Sequence, residues 1–281
     1  MNLTPSVLLM ISPTDQREIG LSLFVSSLPI WLSFCLVVVV TTLAAMGGPL
    51  IVRRSVGLER LITNNEVAGF KFAVIGVIYA VLLGFAVIVV WEKFRDAEVA
   101  VGREASAVIA VHRLSEAMDT EAGGSVRQRL TDYVQAVIAD DWPAMARDKT
   151  SPRAGEALDA LYAAVLSVRP GGLRELAIMS DMLTNLDAIT QSRRTRLVLA
   201  TGIVPGVLWV VLLGGAVVTL SFTFFFGSQS IRAQTLMTGM LAAIIFMALF
   251  VAVEIDHPFT GPVSVGPEAL HNALETLGDT H

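Results

Sequence analysis

Charge is scarce in this sequence. Of its 281 residues, 16% are Asp, Glu, Lys or Arg, where a soluble domain carries about 25%. Hydrophobic residues make up 54%, and mean hydropathy is +0.66. That balance argues against a soluble enzyme and against a disordered chain. Basic residues number 20 against 25 acidic ones, a net charge of −5, so the chain offers no basic surface for nucleic acid. Cys35 is the single cysteine, which excludes an internal disulfide and a cysteine-rich metal centre. The four histidines, His112, His257, His271 and His281, are too dispersed to form a metal motif.

Catalytic signatures are missing as well. There is no P-loop, no dinucleotide-binding glycine motif, no H-E-x-x-H and no nucleophile elbow. Asp140 and Asp141 could be read as a carboxylate pair for acid–base work, but the expectation is a solvated helix end before Trp142-Pro143. The chain therefore does not read as an enzyme, and nothing in it calls for a cofactor.

What is present is apolar sequence in long runs. A bilayer core about 30 Å thick needs roughly 20 apolar residues in a helix. Four segments meet that length: 28–52, 69–91, 197–226 and 235–253. Lys71, at the start of the second, can snorkel, and no other ionisable Asp, Glu, Arg, His or Lys lies inside them. Ion-coupled transporters place such residues at membrane depth; a passive pore, a scaffold or a sensor needs none. Residues 1–27 lack the basic start of a signal peptide and are expected to be a partly ordered leader. Trp31 and Trp91 lie near span ends, where interfacial aromatics are common, while Trp209 lies deeper and is expected to pack.

Four spans place both termini and the long segment 92–197 on one side. That side carries Arg17, Lys93, Arg95, Arg103, Arg193, Arg194 and Arg196 near the span ends. The other carries Arg53, Arg54, Arg60, Arg232 and Lys71. The bias points to termini and insert in the cytoplasm of a cell with the chain in its inner (plasma) membrane.

The insert reads as helical. Phe94, Ala97, Val101, Ala105, Val108, Val111 and Leu114 recur at spacings of three and four, the mark of one helical face. No Gly or Pro separates this face from span two until Gly102, so span two should continue out of the membrane as one helix ending near Gly123-Gly124. Further helices are expected from Ser125 to about Ala139, over 154–168, and from Leu173. The last carries a seam at Leu176, Met179, Leu183, Leu186 and Thr190 and is expected to run unbroken into span three. The insert's 14 basic and 16 acidic residues suit a solvated bundle. Strand-period alternation is absent. The expected architecture is all-α: a four-span helical membrane protein with a helical extramembrane bundle between spans two and three. Its divisions are 1–27, 28–91, 92–197, 198–253 and an acidic tail, 254–281.

Span two contains a stripe of small residues, Ala73, Gly76, Ala80 and Gly84. Such a stripe lets helices approach closely. Alternatively this face lines a symmetric pore, with Gly76, Ala80 and Gly84 along it and Phe85 at an apolar neck that gates by dewetting. Gly47-Gly48-Pro49 should end or bend span one, and Pro205 should kink span three. The tail carries five acids and no Lys or Arg. Glu254 and Asp256 at the membrane exit are candidates for an oxygen-rich cation site of the kind calcium prefers, or for ordinary helix-end chemistry.

Several of these pieces resemble one family. They are IGVIYAVLLGFAVIVVWEKF at 75–94, REA at 103–105, DDWPAM at 140–145, RRTRL at 193–197, VPGVLWVVLLGGA at 204–216 and IDHPFTGPVSV at 255–265. Together with the four spans and the insert, they are similar to the bacterial bestrophin-like domain membrane proteins, which bear a remote resemblance to bestrophin anion channels. The resemblance implies a homo-oligomer, pentameric as in bestrophins, a pore along span two, chloride or other inorganic ions as cargo, and calcium as a possible ligand. The acidic run that follows Pro-Phe in animal bestrophins is absent here, as is a three-ring aromatic neck. Two functions remain open: an oligomeric ion channel, or a non-conducting scaffold or sensor whose insert binds a partner.

Overall fold

The computed structural model describes residues 28–278 except Asn64, Asp119 and Ile203. The leader over 1–27, with Arg17, and His281 lie outside the described residues. The described residues are helical and contain no strand. In chain order the helices are α1 (Ile30–Val56), α2 (Leu58–Thr63), α3 (Asn65–Glu116), α4 (Thr120–Ala136), α5 (Pro152–Ser167), α6 (Leu173–Ala200), α7 (Gly206–Phe224), α8 (Ile231–Asp256) and α9 (Glu268–Gly278). Helices α1, α3, α7 and α8 are long and apolar enough to cross a membrane. The chain divides into two compact units, residues 1–92 with 202–256, and residues 93–201 with 257–281.

In the first unit α1, α7 and α8 pack through small residues. Helix α1 widens into a π-helical stretch over Cys35–Val40 and then continues past Gly47-Gly48-Pro49 to Val56, so this tripeptide neither ends nor breaks the span. Gly48 is there because the Phe224 ring occupies the place of a Cβ. Gly239 on α8 likewise gives way to the Met46 side chain, and a Cβ on Gly215 would stand 2.5 Å from the Tyr79 ring. Phe34 meets Phe250 edge-on at 5.5 Å between centroids, and the Tyr79 hydroxyl donates to Leu212 O at 3.1 Å. Trp31 and Trp91 are exposed, and Trp209 is buried, the packing expected of it.

In the second unit the expected face of α3 holds: Ala97, Val101, Ala105, Val108 and Val111 are all buried. Ala105, Val108 and Val111 join Leu130, Tyr133, Leu161, Met182, Leu186 and Leu270 in one core drawn from α3, α4, α5, α6 and α9, while Ala97 and Val101 pack with Met145, Ala200 and Phe259 in a second cluster. Helix α3 ends at Glu116, and α4 begins at Thr120 rather than at Ser125. Gly123-Gly124 therefore lies inside α4, where a Cβ on Gly123 would collide with Ser115 O at the end of α3. Trp142-Pro143 does not break this helix, which continues through a π turn at Val137–Asp141 to Met145. The buried register of α6 is Met182, Leu186, Ile189 and Arg196, whereas Leu176 is exposed.

Helix α6 does not run into span three. It stops at Ala200, and α7 starts only at Gly206. Gly202 takes φ +87°, a left-handed conformation open to glycine, and Pro205 has no N–H with which to continue a helix. The Val204 N–H, left without an intrahelical acceptor, donates to Asp256 Oδ1 at 2.8 Å.

Candidate functional site

At 3.6 residues per turn, α3 presents distinct faces through the membrane. Tyr79, Leu83, Ala86 and Val90 are buried. Val74, Ile78, Val81 and Phe85, spaced four, three and four, are exposed, Phe85 at 64%. Gly76 lies about 180° around the helix from Phe85, so the four pore and neck candidates do not share a face. Gly76, Ala80 and Gly84 line a groove with Ile244 and Ala248 of α8. A Cβ on Gly76 or Gly84 would meet nothing within 4 Å, so these glycines serve no close helix approach within the chain.

The second unit holds a buried ion cluster that the sequence did not announce. Arg196 is fully buried. Its Nε donates to Glu104 Oε2 at 2.9 Å and its Nη2 to Glu104 Oε1 at 3.2 Å. Nη2 also reaches Asp141 Oδ2 at 3.3 Å. Arg193 closes the other side of Asp141 with bonds of 2.9 and 3.2 Å, and the Ser151 N–H donates to Asp141 Oδ1. The Tyr133 hydroxyl donates to Glu104 Oε1 at 2.6 Å. Two cations and two carboxylates thus neutralise one another, each with further hydrogen bonds, as buried charge requires.

The electrostatics follow from burial. Burial and then the Glu104 carboxylate push the Tyr133 phenol well above its ordinary value. Burial pulls the Arg196 guanidinium down, but Glu104, Tyr133 and Asp141 together more than offset this, so it is held above its usual value. Trp142 covers the cluster: the Arg196 guanidinium lies 4.8 Å from its ring centroid. Trp142 meets Phe259 edge-on at 5.7 Å and donates from Nε1 to Val265 O at 3.3 Å. This corrects the expectation of a solvated helix end at Asp140-Asp141. Asp140 is partly exposed beside Arg153, but Asp141 is fully buried. It also removes Arg196 from the cations that flank a span. The available signal was Glu104 beside Ala105 on the apolar stripe of α3.

Glu254 and Asp256 are both buried. They occupy different settings: Asp256 accepts from Val204 N, and Glu254 lies against Ser33 of α1. Among the described residues no group of three or more His, Cys, Asp or Glu side chains is placed to hold a metal ion.

A family model described as Bestrophin-like domain matches residues 39–270. No curated protein matches the sequence. Among solved structures, a single-substitution variant of a bacterial bestrophin homologue from Klebsiella pneumoniae superposes with a TM-score of 0.69 at 15% identity, covering 86% of this chain and 99% of that one. A second variant of that homologue gives 0.68 at 15% identity over 86% and 97% of the two chains. A structure described only as a membrane protein variant gives 0.61 at 15% identity over 92% and 97%. At such identities the likeness is one of fold.

Proposed function

The chain belongs to the bestrophin-like family, and from that premise we propose that it is a homo-oligomeric anion channel in which α3 lines the pore. The observation that carries this is the exposed apolar stripe Val74–Ile78–Val81–Phe85 on a helix that continues unbroken from Asn65 to Glu116. A single chain offers no closed path around that stripe. Several copies around an axis would surround it, and a symmetric ring closes such an assembly. Phe85, the largest side chain of the stripe, then forms a dewetting neck. Gly76, Ala80 and Gly84 sit behind the pore face. Glu254 and Asp256 serve the helix end, and calcium has no role in this reading.

The test is chloride flux into liposomes carrying the purified chain, with the mass of the detergent-solubilised protein measured in parallel. Flux from a closed oligomer, increased or altered in selectivity by Phe85→Ala, is the expected result. A monomer or dimer without flux overturns the reading and turns attention to a partner of the insert.

A further inference from the structure

Two cavities of the first unit adjoin. One, of about 430 Å³, lies at the ends of α3, α7 and α8 and includes Asn65, Ser228 and Gln234 in its wall. The other, of about 710 Å³, is the groove beside Gly76 and Gly84. Phe72 and Leu241 belong to both walls. The second groove by itself runs along α3 from Phe72 to Ile88, sixteen residues at about 1.5 Å each, or about 24 Å. One leaflet of a hydrocarbon core is about 15 Å deep, so the groove can accept an acyl chain with room for its head.

Its polar groups are sparse and ordered. Gln234 is 5% exposed. Its Nε2 donates to Phe226 O, which fixes the amide orientation, and its Oε1 has no partner. A buried acceptor left in that state costs about 1–3 kcal/mol. Deeper in the groove, about 10 Å along α7 from the level of Phe226, the buried Thr219 hydroxyl also lacks a partner. At the rim Arg53 donates to Ser228 O at 3.1 Å, which puts a guanidinium beside the head end. The order from rim to floor is cation, acceptor, hydroxyl, then an apolar channel with two missing side chains.

We propose that this groove binds one membrane glycerophospholipid whose headgroup carries a hydrogen-bond donor. The headgroup donor fills Gln234 Oε1, the phosphate lies near Arg53, an ester carbonyl accepts from Thr219, and an acyl chain occupies the space beside Gly76 and Gly84. Phosphatidylethanolamine and phosphatidylglycerol carry such a donor; phosphatidylcholine does not. Gly84→Leu puts a side chain into the channel. Gln234→Met keeps the shape and removes the acceptor together with the donor to Phe226 O. Gly214, also open to a Cβ but outside the groove wall, supplies the control variant Gly214→Leu.

The full-length protein is extracted in mild detergent, stripped of lipid, offered equal amounts of the three phospholipids, and weighed intact by native mass spectrometry. The expected result is one retained lipid per chain, with the two donor-bearing lipids favoured at least fivefold over phosphatidylcholine. Gly84→Leu should lower retention at least tenfold, Gln234→Met should erase the headgroup preference, and Gly214→Leu should behave as wild type. Retention of no lipid, which would leave water at Gln234, overturns the proposal. So does equal retention by Gly84→Leu, an absent headgroup preference in wild type, or a loss of oligomer mass in Gly84→Leu without loss of lipid, which would assign the groove to a second copy. Retention is read whether or not the protein conducts, so its failure and that of the channel reading are separable.

Discussion

Arg196 and Glu104 lie 92 positions apart in the chain and meet, both fully buried, through two hydrogen bonds of 2.9 and 3.2 Å. The two parallel donors of the guanidinium match the two carboxylate oxygens, the strongest geometry such a pair adopts. Breaking one side leaves an uncompensated buried charge, at a cost of about 3–5 kcal/mol. Glu104→Ala should therefore lower the thermal midpoint of the detergent-solubilised protein markedly. Glu104→Gln paired with Arg196→Met should lose less than the sum of the two single changes, because the partners share one interaction. Additive losses would show that the pair is not coupled.

Tyr133 gives this cluster a dependence on pH. Its phenol is pushed well above its ordinary value, so the folded state holds the proton more tightly than the unfolded state. Stability from this source is fully present below about pH 10, the unfolded value, and is lost as pH rises beyond it. Tyr133→Phe should lose about 1.5–3 kcal/mol at neutral pH, the worth of a hydrogen bond to a charged acceptor. It should also show a shallower alkaline decline than wild type in unfolding curves followed between pH 8 and 11. An unchanged alkaline slope would remove Tyr133 as the titrating group.

The membrane spans were legible because four apolar runs of about 20 residues each, charged only at Lys71, match the thickness of a bilayer core. The stripe from Ala97 to Val111 was legible because a buried helical face repeats every three or four residues. The ion cluster was not. Glu104, Asp141 and Arg196 come from three helices, and charge in an insert with 14 basic and 16 acidic residues reads by default as solvated. Only the fold brings the three together, and only then do REA, DDWPAM and RRTRL become parts of one site. The break between α6 and α7 stayed hidden for a related reason. Gly202 and Pro205 were visible, yet the acceptor that stabilises an interrupted backbone there, Asp256, lies 52 positions away.

That acceptor can be tested directly. Asp256→Ala leaves the Val204 N–H buried without its bond, a loss of about 1–3 kcal/mol. Asp256→Asn keeps an oxygen acceptor and should cost less. Gly202→Ala must hold an L residue at φ +87°, a strain of about 1–3 kcal/mol. Thermal unfolding of the three variants should rank Asp256→Asn as the mildest. A harmless Gly202→Ala would mean that the break can be rebuilt as helix.

Gly214 and Gly215 are adjacent on α7 and should respond in opposite ways. A Cβ on Gly215 would stand 2.5 Å from the Tyr79 ring, and that ring is fixed by its hydroxyl bond to Leu212 O. It cannot swing aside without giving up a buried hydrogen bond, so Gly215→Ala should cost about 1–3 kcal/mol through overpacking. A Cβ on Gly214 meets open space, and replacing a helical glycine by alanine recovers about 0.8–1.0 kcal/mol of helix propensity in water. Gly214→Ala should thus be neutral or mildly stabilising in the same thermal assay. Gly215→Ala should cost less in a Tyr79→Ala background than in wild type, because the colliding ring is gone there. If both alanine variants unfold at the wild-type temperature, α3 and α7 are farther apart than these distances require.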